Sequence, residues 1–168
     1  MITETAYKAY FENLAAKHIA LAHSEQNKSF FYIDNPFELT AIDQALGYMQ
    51  SNKCLLLDVP DRLWDDNASN NYTDKISCQF TVLKRESDKT QLLNARNETL
   101  AIVEDFLVKI RQNQSSRTLF NSTNAHMRIE NVSIQAVGPM KLEWYGYTVV
   151  VSIICPFVPA KNAGNWLP

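Results

Sequence analysis

Glycine is scarce in this chain of 168 residues: there are 4, at positions 47, 138, 146 and 164, beside 6 prolines. So thin a supply excludes collagen-like, mucin-like and disordered readings. It also removes the loops that cradle phosphates, since neither a Walker pattern nor G-x-G-x-x-G occurs. No G-x-S-x-G elbow is present to carry a nucleophile. An excess charge of one sign is lacking as well. Lys+Arg number 16 against 18 Asp+Glu, a net charge of −2. That balance offers no basic stripe for nucleic acid and no patch for an anionic membrane.

Long apolar runs are missing too. The longest, Thr148 to Cys155, falls far short of the roughly 20 residues that span a bilayer. Met1 to Lys8 has no basic segment leading into an apolar one, so no signal peptide is expected. A soluble protein made in a cytosol is the expectation. Asn-x-Ser/Thr sequons at Asn27, Asn67, Asn71, Asn97, Asn113, Asn121 and Asn131 then read as an Asn-rich composition, not as glycosylation sites. Cysteine is sparse, odd in number and dispersed: Cys54, Cys78 and Cys155. A disulfide frame needs an even set in an oxidising compartment and a zinc site needs close spacing, so three buried free thiols are expected.

What is present is 46% hydrophobic content in patterned runs, enough for one domain with a sizeable core. Tyr7, Tyr10, Phe11, Leu14, His18 and Leu21 recur at helical steps over 4–22. After the polar link 23–28, residues 29–33 form a short aromatic strand. Asn35 and Pro36 then start a helix to about Gln50, carrying Phe37, Leu39, Ile42, Ala45, Leu46 and Met49. Cys54 to Val59 is continuously apolar and closed by Pro60, the mark of a strand covered on both faces. Residues 61–74, polar and Asn/Asp-rich with Trp64 and Tyr72, read as a long exposed loop. From Lys75, Ile76, Cys78, Phe80 and Val82 alternate with polar residues as in a half-buried antiparallel strand.

The longest helix is expected over about 91–113, with Leu93, Arg96, Leu100, Val103, Phe106, Leu107 and Ile110 as its core stripe. Residues 126–137 form a strand whose alternation slips near Glu130-Asn131, predicting a β-bulge or a change of exposed face. Gly138 to Lys141 makes the turn into a last strand over 142–155, with Tyr145, Tyr147, Val149, Val151 and Ile153 on one side. No segment repeats at a fixed period. The expected fold is one α+β domain over 1–155: a mostly antiparallel sheet covered by two or three helices, with a long loop. Residues 156–168 are expected to form an irregular C-terminal arm.

Residues able to carry chemistry are few. His18, His23 and His126 form no metal-binding pair. The loop from Asp65 fails the calcium-loop pattern, with Asn70 where glycine is needed and Ile76 where glutamate is needed. Glu104 and Asp105 are adjacent and cannot share a partner. Asp58, beside Pro60, reads as a turn or cap, and Asp58, Asp61 and His126 are the least implausible enzyme site. No catalytic, cofactor or metal residue is assigned. Alternation puts Trp144 and Tyr145 on opposite faces, so one of them is a candidate exposed anchor. With Trp64, Asp65, Asp66, Tyr72, Phe157, Trp166 and Leu167 they form the expected protein interface. The arm tipped by Trp166-Leu167 suits strand addition or exchange between protomers.

The element order is an N-terminal helix, a polar loop, a strand like 74–84, a helix like 91–113 and a closing hairpin. That hairpin ends Glu143-Trp144-Tyr145-Gly146-Tyr147-Thr148-Val149-Val150-Val151. This order resembles small phage tail-terminator, or tail-completion, proteins. The resemblance implies a non-enzymatic ring, commonly hexameric, that caps the tail tube and joins it to the neck. It implies tail-tube and neck proteins as partners and a place in the virion after assembly in the bacterial cytoplasm. The alternative is a protein-binding module of a bacterial cytosol, an adaptor or immunity-like protein using the same aromatics on one partner.

Overall fold

A computed structural model describes residues 2–35, 39–65, 72–121 and 127–156. Their elements run α1 (Glu4–Lys17), β1 (Phe30–Ile33), α2 (Leu39–Tyr48), β2 (Lys53–Asp58), β3 (Asp61–Asp65), β4 (Thr73–Arg85), α3 (Leu92–Ser115), β5 (Arg128–Met140) and β6 (Trp144–Pro156). The sheet order is β1-β2-β4-β6-β5, with β3 pairing β4 beside that path. All pairings are antiparallel except β1 with β2, which run parallel and are joined through α2. The protein is an α+β domain, as its patterning predicts.

Alternation on β2 and β4 divides the core in two. Leu55 and Leu57 face one way with Ile76, Cys78, Phe80 and Val82, under α1 and α3. Cys54 and Leu56 face the other way with Leu83 and Trp144, under Ala45 and Leu46 of α2. That is why β2 reads as continuously apolar. All three cysteines are buried free thiols.

The 61–74 segment departs from the expected long loop. Asp61–Asp65 is a strand, in register Asp61↔Ser77 through Asp65↔Thr73. β2 occupies the same edge of β4 farther along, opposite Phe80–Lys84. One edge of β4 therefore carries two strands end to end, interrupted at Val59-Pro60, where proline has no N–H to give the ladder. Short polar strands lack the apolar alternation that reveals a strand, which is why this one is invisible in sequence.

The bulge is real. Pairing shifts between Ile129 and Asn131, so that Ile129 and Val132 both reach the core under the helices despite their broken alternation. Strand β5 then continues through Gly138 and Pro139 to Met140, and the turn falls at 141–143 in place of the expected Gly138–Lys141. A second register shift between Val137 and Met140 absorbs Gly138, whose φ of 112° suits glycine alone among L residues.

Helix α1 stops at Lys17 because the His18 N–H closes the last turn onto the Leu14 carbonyl, after which the chain bends back. Leu21 is still buried, carried inward by that bend. On α3 the stripe is rotated from expectation. Ala95, Thr99, Ile102, Val103, Phe106 and Ile110 are buried, whereas Leu93 is 73% exposed. In this orientation the Lys53 and Lys84 ammoniums both reach Glu98, at 2.8 and 2.7 Å. Their contacts hold the Glu98 carboxyl below its ordinary range.

Beyond α3, Phe120 takes a left-handed conformation (φ 54°) and is buried against α1, its ring centroid 5.0 Å from Tyr10. Asn113 donates to the Tyr10 hydroxyl at 2.9 Å beside it. Backbone strain of order 1 kcal/mol is offset by burial of the ring.

Two substitutions test this core. Phe80→Ala should lower unfolding free energy by about 3–5 kcal/mol, read by urea denaturation. At Gly146 an added Cβ would collide with the Val82 carbonyl oxygen, part of the rigid backbone of β4. Gly146→Ala should therefore lower the thermal midpoint much more than Gly47→Ala, where the nearest atom is the movable Lys141 ammonium.

Candidate functional site

A buried charged group lies where β2 gives way to β3. Asp74 is only 1% exposed, and a buried carboxylate needs a partner. Arg62 supplies it. Its Nε lies 3.3 Å from Asp74 Oδ1, its Nη2 donates to Oδ2, and its Nη1 donates to the Ile2 carbonyl at 2.9 Å. The fork ties β3, β4 and the N-terminal segment together. Beside it, Tyr7 Oη donates to the Asp58 carbonyl at 3.1 Å, and Gln79 Nε2 donates to the Asp58 carboxylate. Burial pushes the Asp58 carboxyl above its ordinary range, opposed by Gln79 and assisted by Asp61.

This arrangement holds a corner together. The adjoining cavity, lined by Ile2, Thr3, Tyr7, Val59, Pro60 and Arg62, measures about 90 Å³, room for about three waters. Asp58 is engaged with Gln79, and His126, the third member of the least implausible enzyme site, lies outside the described residues.

A larger cleft of about 350 Å³ opens between α1 and α3, lined by Leu14, Lys17, His18, Asp105, Phe106 and Lys109. It holds a His–Asp pair, with His18 Nε2 3.3 Å from Asp105 Oδ2. The other ring nitrogen, Nδ1, accepts the Ala20 N–H at 3.2 Å. Both nitrogens are occupied, which leaves none for a substrate proton. His23 is tied likewise, its Nδ1 accepting the N–H groups of Ser29 and Phe30. Burial raises the Cys54 and Cys78 thiols above their ordinary range, away from the thiolate a nucleophile needs. Among the described residues no group of three or more His, Cys, Asp or Glu could hold a metal ion.

The expected interface residues are dispersed. Trp64 and Asp65 stand on β3, where Leu63 is 64% and Trp64 59% exposed. Tyr72 is half-buried at the foot of β4. Trp144 and Tyr145, expected to leave one ring outside the core, are both buried. Trp144 packs with Ile33, Leu56 and Leu83 below α2, and Tyr145 lies against Gly138. Alternation does put them on opposite faces, but this end of the sheet is covered on both. Asp66, Phe157, Trp166 and Leu167 lie outside the described residues, as does the 157–168 segment expected as an arm.

One further surface among the described residues was not singled out by sequence patterning. Helices α1 and α3 cover one face of β4, β6 and β5. The opposite face carries Lys75, Ser77 and Gln79 of β4, Thr148, Val150, Ser152 and Ile154 of β6, and Asn131, Ser133 and Gln135 of β5. These side chains are half-buried or exposed. Polar–apolar alternation hinted at this face on β4, but which strands adjoin it is decided by topology. No protein-family model matches the chain, and no curated protein matches it.

Two outcomes follow for the corner. Arg62→Ala strands a buried carboxylate and should lower stability by about 3 kcal/mol, more than Asp74→Asn, whose amide oxygen still accepts; chemical denaturation compares them. Asp58 has a folded pKa above its unfolded one, so its contribution is full below the unfolded value and declines as pH rises through the folded value. Asp58→Asn should therefore gain stability relative to the parent chain as pH rises from the ordinary carboxylate value of about 4 through the raised folded one. A difference independent of pH would refute this.

Proposed function

We propose that this chain is a structural protein of a phage or phage-like tail, a ring-forming terminator that caps the tail tube and joins it to the neck. One observation carries the reading. Away from the α2 end, the β4-β6-β5 band buries its core on the side of α1 and α3, and its other side carries a mixed polar row of half-buried and exposed side chains. Sheet surfaces of this kind suit subunit contacts, whereas an enzyme site is a concavity with convergent, available polar groups. Of the two larger clefts, the one between α1 and α3 holds Lys17 and Lys109 beside its His–Asp pair, and a second of about 390 Å³ is lined by Leu46, Gly47, Arg85, Lys141, Glu143 and Trp144. The His18–Asp105 pair is internally occupied, and in the second cleft Arg85 pairs with Glu143 at 2.6 Å while Lys141 donates to the Asp43 carbonyl at 2.9 Å.

The element order that resembles tail terminators supports the same reading. Head-to-tail contacts that close on themselves generate rings. In this reading the β3–β4 hairpin, presenting Leu63 and Trp64, reaches a tube or neck partner. The place of action is the virion, after assembly in the bacterial cytoplasm.

The test is the mass of the full chain in solution across a concentration range, by light scattering on a sizing column. A discrete oligomer near six protomers, seen as a ring by electron microscopy, is expected. A tight dimer would instead favour the adaptor-like binding module. Deleting 157–168 should reduce the oligomer mass while far-UV circular dichroism stays unchanged. An unaltered mass would remove that segment from the assembly contact.

A further inference from the structure

We propose that the cleft between α1 and α3 binds a small aromatic carboxylate, held by the Lys17 and Lys109 ammoniums over an apolar floor. At about 350 Å³ the cleft falls within the roughly 300–1,000 Å³ of ordinary small-molecule sites. The other cleft of this size has its charges engaged, Arg85 with Glu143 and Lys141 with the Asp43 carbonyl.

The walls of the site are fixed by the core. Phe11 of α1 and Phe106 of α3 both pack on Phe80, so the two helices stand over one strand. Where they approach, the His18 ring lies 5.6 Å from the Phe106 ring, tilted by 42°. His18 is itself pinned by the Ala20 N–H and by Asp105. A site whose walls are held in the free protein loses little to ordering when it binds.

Helical spacing then sets the chemistry. Leu14 and Lys17 share one face of α1 at a step of three, and Phe106 and Lys109 do the same on α3. Each helix thus gives the cleft one buried apolar side chain and one exposed ammonium. Two exposed apolar side chains adjoin these in the chain, Ile19 after His18 and Val108 before Lys109. Among the described residues neither Lys17 nor Lys109 has an ion-pair partner. The carboxylate in the cleft, Asp105, is turned to His18.

Two such ammoniums beside Leu14 and Phe106 are complementary to an anion with an apolar body. The body is aromatic because the Phe106 and His18 rings offer a third ring tilted or offset contact. The acid carries a single charge, because Asp105 in the same cleft opposes a larger one. None of this depends on the ring reading.

Calorimetric titration of the full chain with 2-naphthoate, against its neutral analogue 2-naphthamide, tests the site. One saturable site per chain is expected for the naphthoate, with the amide weaker by about tenfold. Lys17→Gln/Lys109→Gln should weaken naphthoate binding by about tenfold as well. Lys28→Gln/Lys89→Gln removes two lysines that lie outside the cleft and should leave binding unchanged. All four side chains are exposed, so the fold is spared, and circular dichroism verifies it.

A parent chain without saturable naphthoate binding would overturn the site. Equal affinity for the amide would overturn the ligand class. A Lys17→Gln/Lys109→Gln variant that binds like the parent, or a control pair that weakens binding equally, would place the ligand elsewhere and overturn the site too. The readout is ligand affinity and not oligomer mass, so each of these outcomes leaves the ring reading standing.

Discussion

Phe80 is the residue on which the rest of the structure leans. It lies at the middle of β4, with its ring centroid 5.5 Å from Phe11 of α1 and 5.9 Å from Phe106 of α3. Both helices are thereby fixed against one strand, and that strand pairs with β2 and β3 on one side and β6 on the other. Aromatic rings bury large areas and prefer tilted or edge-on contact, so three of them in line set both spacing and orientation. Every other element is placed by reference to β4. Strand β2 extends it towards α2, β3 continues the same edge beyond Pro60, and β6 carries β5.

This arrangement makes the domain lopsided. Two helices crowd the face that holds Phe80, while α2 covers β1, β2 and the Leu83–Trp144 end of the other face. What remains among the described residues is a mixed polar sheet surface. Several of the polar groups inside the fold serve its architecture. Arg62 neutralises Asp74, Gln79 answers Asp58, and His18 and His23 are tied by backbone N–H groups on one nitrogen and face carboxylates on the other.

Elements with strong apolar rhythm are legible in the sequence alone. The stripe Tyr7, Tyr10, Phe11 and Leu14 locates α1, the alternation Ile76 to Val82 locates β4, and the slip at Glu130-Asn131 locates the bulge. The β2 run is recognisable as covered on both faces. The short strand β3 is not legible, because five exposed residues have no buried side to impose a period. The rotation of α3 is not legible either. Leu93 belongs to the apolar stripe on paper, but the helix buries Ala95, Thr99 and Ile102 and leaves Leu93 to solvent. The exposed anchor expected at Trp144 or Tyr145 fails because alternation tells which side a ring takes, not whether that side is covered.

By itself the sequence determined the class of fold, the reduced state of its cysteines and the location of its longest strands and helices. These depend on local period and on the cost of exposing apolar side chains, which neighbouring residues suffice to express. Tertiary structure alone decided which faces and edges remain open, that Asp74 would be buried against Arg62, and that β2 and β3 would share one edge of β4. Those properties depend on residues far apart in the chain being brought together, such as Ile2 with Arg62 or Tyr10 with Asn113. Burial is a property of the assembled neighbourhood, and no short stretch of sequence contains it.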